Sequence, residues 1–207
     1  MASRRRASCS RGTALIEFGL VMVIMIPLFF GMVLIGISST ASIQAVQLTR
    51  DMGHMYSLGV DFANGATQSQ AQNLAQNLDL SSTGNGVVML SQIKKVYQAD
   101  CDAQGLATCP NLLQYVITQR LTLGNPTVRS STFGTPNAGY INAQGNISAA
   151  NYLTQSSLIA ANAATLLPGV PAGNSVYVSE SHFNLPGLSY LSHFGLQVNG
   201  VYSICYF

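Results

Sequence analysis

The sequence predicts an α+β protein: one long N-terminal helix, transmembrane in its first half, then a small C-terminal domain of antiparallel strands with flanking helices. Three observations lead there. From Phe18 to Ile37 twenty consecutive residues carry no charge, and about 20 apolar residues cross a bilayer core as a helix. Beyond that span the apolar residues continue at helical spacing. Further on, VVMLSQIKKVYQ, LLQYVITQRLTL, NSVYVSESHFNL and GVYSICYF are rich in β-branched and aromatic residues, as strands are.

The 207 residues leave room for an anchored segment and one modest domain. Charged residues make up 8% of the chain, against about 25% in an average soluble domain, and mean hydropathy is +0.29. Both values point to a membrane or to extensive self-association. Four of the nine basic residues, Arg4, Arg5, Arg6 and Arg11, precede the apolar run. The remaining five face all seven acidic residues, so the chain from Thr13 onward carries a net charge of −2. That balance argues against nucleic acid as a partner, because phosphate recognition needs a basic surface. A basic cluster beside an apolar span is an orientation signal instead: the N-terminus stays cytoplasmic and the bulk of the chain lies outside.

The first helix is expected from about Ala14 to about Leu58. Pro27 and Gly31 lie inside the span, where neighbouring helices accommodate a kink or a close approach. Ala41, Ala45, Leu48, Met52 and Met55 form one stripe beyond it, with Gln44, Gln47, Arg50 and Asp51 on other faces. The methionines of that stripe read as packing residues, not as a cofactor box. In ATQSQAQNLAQNLDL, Ala71, Leu74, Ala75 and Leu78 predict a second helix that ends at the turn signal SSTGNG.

The first two strands flank CDAQGLATC, whose Cys101 and Cys109 are the expected disulfide pair; a bond there clamps a short loop at modest entropic gain. Cys205 is then free or takes a partner from that pair, and Cys9 belongs to the leader. Residues 124–147, rich in Gly, Pro, Asn, Ser and Thr, predict a solvated loop. Asn146-Ile-Ser148 matches a glycosylation sequon, which is given no weight. AANYLTQSSLIAANAATLL has helical composition and stops at Pro168-Gly169, and no internal repeat is present.

Candidate catalytic chemistry is sparse. His54, His182 and His193 lack any nucleophile elbow, phosphate loop or zinc-ligand spacing around them. Neither an enzyme nor a metal or cofactor is expected. Glu180 shares a strand face with Val176 and Val178, and a solvated edge position is expected for it over a buried polar contact.

The segment that calls for explanation is Arg11-Gly12-Thr13-Ala14-Leu15-Ile16-Glu17-Phe18. A carboxylate inside a membrane helix costs roughly 2.5 to 3.5 kcal/mol at the centre and less near an end, so something must favour Glu17. If a peptidase cuts after Gly12, Thr13 becomes the N-terminus and Glu17 the fifth residue. In a bundle of offset helices, Glu17 of one subunit then neutralises the α-ammonium of another, a strong pairing in a poorly solvated core. The helix dipole also favours a negative charge at that end.

RGTALIEFGLVMVIMIPLFFGMVLIG resembles the N-terminus of TadE-like proteins, pilin-like components of the Tad (tight adherence) pilus system, in its Arg-Gly, Glu17-Phe18, Pro27-interrupted aliphatic run and Phe30-Gly31. The match covers about residues 11 to 37. It implies a type IV pilin-like layout, with a leader over 1–12, a membrane and assembly helix over 13–58 and an extracytoplasmic domain over 59–207. It also implies cleavage by a prepilin peptidase between Gly12 and Thr13, and assembly through Glu17 and Phe18. The implied partners are the inner membrane, that peptidase, other pilin-like subunits and the Tad machinery. The implied role is a minor pilin or pseudopilin of a Tad/Flp-type pilus, with the C-terminal domain periplasmic or carried into the filament. The same N-terminus would serve a signal-anchored scaffold of the secretion machinery that enters no filament. A cleavable secretory signal ending near Ser39-Thr40-Ala41 would need an apolar core longer than the usual 7 to 15 residues.

Overall fold

Helix α1 runs from Arg11 to Ser57, against the expected span of about Ala14 to Leu58. The computed structural model describes residues 11–75, 78–185 and 200–207, so Arg4 to Arg6, Cys9 and His193 lie outside the described residues. The chain divides into two units, Met1–Thr40 and Ala41–Phe207, with the boundary inside α1.

In the first unit α1 continues through Pro27, although that residue brings no backbone N–H to the helix ladder. The side chains from Leu15 to Ile37 are largely exposed, Phe18, Ile24, Phe29 and Ile35 among them. The helix is long and apolar enough to cross a membrane.

The second unit opens with the remainder of α1, where the apolar stripe meets its partner surface. Ala41, Ala45, Leu48, Met52 and Tyr56 are buried, together with Thr49, while Gln47, Arg50 and Asp51 are exposed. At Gly53 a Cβ would fall 2.3 Å from the Phe207 ring and 2.9 Å from Ser179 Cβ, so the absence of a side chain lets the helix lie close on the sheet.

That sheet has four antiparallel strands in the order β2-β1-β3-β4: β1 Gly86–Lys95, β2 Tyr115–Gly124, β3 Ser175–Phe183 and β4 Val201–Tyr206. One face, with Val88, Leu90, Leu123 and Phe183, packs on α1 and on α2 (Gly65–Leu74). The other, with Ile93, Ile117 and Val178, packs on Phe133, Ile147, Leu158, Ala163 and Leu167 from the long β2–β3 connection. A bulge at Thr118 of β2, skipped between the Gln92–Gln119 and Ile93–Ile117 pairs, puts Ile117 on the same face as Arg120.

Three segments differ from expectation. The first strand ends at Lys95 and Gln98–Asp102 form a short helix, α3. Asp100 is the cause: it accepts the Tyr97 backbone N–H at 3.0 Å and pairs with Lys94 Nζ at 2.5 Å. Residues 149–167 hold α4 (Ala149–Thr154) and α5 (Ala163–Leu166) in place of one helix. Between them the Ala160 N–H donates to the Tyr115 carbonyl at 2.8 Å and Asn162 adopts φ 55°, so pairing with β2 replaces helical bonds. Residues 124–147 form the expected loop but are solvated only in part: Phe133 and Ile147 are buried, and Asn146 bridges to Gln119 on β2. Gly145, at φ +79°, would set a Cβ 2.6 Å from the Arg120 carbonyl, which only glycine avoids.

Candidate functional site

Gly12 and Thr13 fall in the first turn of α1, one turn before Glu17, a rise of about 6 Å. Glu17 and Phe18 are both exposed, Phe18 at 61%, and Glu17 has no ion-pair partner among the described residues. The carboxylate is therefore accessible at the start of an apolar helix whose Gly19, Gly31 and Gly36 have open space where a Cβ would stand. A second helix can approach closely at such positions.

Cys101 and Cys109 form a disulfide with Cα atoms 5.8 Å apart. Both are buried against Val96, Val116 and Leu153, so the bridge ties α3 and the loop after it to β2 and α4. Cys205 is free and half-buried. Burial raises its thiol pKa, partly offset by the nearby Arg50 charge.

The two described histidines are not brought together. His54 is exposed on α1 beside the Phe207 ring, and His182 shares a 3.0 Å hydrogen bond with Asn184. Among the described residues no group of three or more His, Cys, Asp or Glu side chains is placed to hold a metal.

What sequence reasoning missed is a charged cluster on the sheet face opposite α1. Glu180 is 0% exposed on the interior strand β3, correcting the expected solvated edge. Its Oε2 accepts from the Ser131 hydroxyl, and its Oε1 accepts from the Thr132 N–H and the Tyr202 hydroxyl, each at 2.9 Å. Arg120 on β2 reaches over β1 to set Nη1 3.8 Å from Oε2, while its Nη2 donates to the Gly134 carbonyl at 2.9 Å. The pair thus grips 131–134 from both sides and seats Phe133 between them in the core. Burial pulls the Arg120 pKa down, and Glu180 opposes that shift. The Tyr202 hydroxyl, desolvated and close to the carboxylate, is pushed up to about 12. The one signal available in the sequence was a charge alternating with valines on a strand; its partners lie 46 to 60 positions away or across the sheet, which no local pattern encodes.

No protein-family model, no curated protein and no solved structure matches the chain.

Proposed function

We propose that the chain is a pilin-like structural subunit of the TadE type: a minor pilin or pseudopilin, anchored in the bacterial inner membrane, processed after Gly12 by a prepilin peptidase and assembled through its N-terminal helix. The observation that carries this reading is the character of α1. Its first half exposes apolar side chains all round, with one carboxylate, Glu17, at the start. Its second half buries only one stripe. A helix apolar on every side belongs in lipid or among like helices, whereas a one-sided helix belongs on a domain surface.

In this reading the subunit catalyses nothing. Its work is to leave lipid for a helical bundle, exchanging lipid contacts for packing at Gly19, Gly31 and Gly36. Glu17 sets the axial register by pairing with a neighbour's newly exposed α-ammonium at Thr13. The deciding measurement is the mass of the mature chain. A start at Thr13, lost when Gly12 is replaced by a bulky residue, supports the assignment; an intact Met1 or a start near Ser42 rejects it.

A further inference from the structure

The cluster around Glu180 leaves donors unused. Among the described residues the carboxylate accepts from Ser131, Thr132 and Tyr202, and Arg120 donates no hydrogen bond to it. Arg120 is 7% exposed, and among the described residues its Nε and Nη1 have no hydrogen-bond partner. Buried donors without acceptors cost free energy, more so on a charged group. Beside the guanidinium lies a cavity of about 230 Å³, lined by Met89, Arg120, Arg129, Ser130, Ala138 and Ile141 among others. Arg129 stands at its exposed rim, its guanidinium 4.3 Å from the centre of the Tyr202 ring. Two cations and one carboxylate thus meet here, an excess of one positive charge. The walls from Met89, Ala138 and Ile141 are apolar, and the volume takes several waters or one carboxylate with a short alkyl tail.

We propose that this cavity binds a small organic monocarboxylate, its carboxylate accepting from Arg120 and facing Arg129, its tail against Met89, Ala138 and Ile141. One negative charge completes the balance, and an ionised acceptor makes a stronger bond to a guanidinium than water does. The apolar walls select against fully hydrated inorganic anions. The inference is independent of the filament reading, since it concerns only the outer domain.

The test uses the full chain in uncharged detergent micelles, titrated by calorimetry with sodium butyrate, with butyramide, and with sodium phosphate at matched ionic strength. Saturable one-to-one binding of butyrate, absent with butyramide and phosphate, is expected. Arg129→Ala should weaken it by no more than about fivefold, the size of one solvent-screened ion pair. Ala138→Leu, which fills the cavity from its exposed side, should abolish binding while the melting temperature without ligand stays unchanged. Failure of butyrate to saturate, equal binding of phosphate or butyramide, or unchanged binding in the Ala138→Leu protein would each overturn the proposal.

Discussion

Glu180 shows how one side chain organises a distant stretch of backbone. Its carboxylate holds Ser131 and Thr132 while Arg120 holds Gly134, so Phe133 has one place to go. Removing one member of a buried pair leaves the other charge uncompensated, a cost of about 3 to 5 kcal/mol. Glu180→Gln should therefore lower the stability of the C-terminal domain by at least about 3 kcal/mol in urea unfolding followed by circular dichroism. Replacing both partners with apolar residues should recover part of that loss, because no charge is then stranded. His182 gives a second, smaller effect. Burial lowers its pKa below the usual 6.5; the hydrogen bond with Asn184 opposes this and the Arg129 charge adds to it. The unfolded chain accordingly takes up a proton that the folded chain resists, so stability falls as pH drops through about 6.5. Between about pH 7.5 and 5.5, above the ordinary carboxylate range, the melting temperature should decline more steeply in the wild-type protein than in His182→Gln.

At the scale of elements, α1 and the loop after β1 present opposite cases. In α1 the spacing that makes Ala41, Ala45, Leu48 and Met52 one stripe is the spacing that buries them. Thr49 joins that buried face by donating to the Ala45 carbonyl at 2.6 Å and meeting the Ser181 hydroxyl at 2.5 Å, a polar contact that hydropathy alone does not reveal. The Cys101–Cys109 loop depends on a cross-link, since α3 has five residues and is far below the length at which a helix is stable alone. A sequence separation of 8 gives about 2.5 kcal/mol in the chain-entropy description. Replacing both cysteines by serine should reduce stability by about that amount and raise amide exchange in 98–109 while leaving the four-stranded sheet protected. Equal loss of protection across the sheet would show that the bridge supports the whole domain.

For the molecule as a whole, one feature of the surface dominates. From Leu15 to Ile37 the helix exposes a continuous apolar sleeve, far beyond what a soluble monomer tolerates in water. In the proposed reading lipid or other helices cover it, and Glu17 is the one charge within 14–40 that such a cover has to accommodate. In the proposed filament Glu17→Ala should leave membrane insertion intact, since it removes a charge from the span. It should at the same time sharply reduce the subunit in fibres sheared from cells. Normal incorporation of the variant would remove the register role from Glu17.

By itself the sequence determined what depends on neighbours along the chain: the membrane-competent span, the stripe that continues it, the four strand segments and the pairing of Cys101 with Cys109. These are properties of periodicity and short loops, so the residues that carry them lie within a few turns of one another. Only the tertiary structure decided the strand order, the breaking of 149–167 into two short helices and the burial of Phe133 and Ile147 within 124–147. Those outcomes turn on pairing with strands far away in sequence. The same holds for the charged cluster: Glu180 reads locally as a strand-edge residue, and becomes a buried anchor because Arg120, Ser131, Thr132 and Tyr202 converge on it from separate elements. Burial of a charge is a property of the completed shell around it, and a shell is assembled only when the chain has folded.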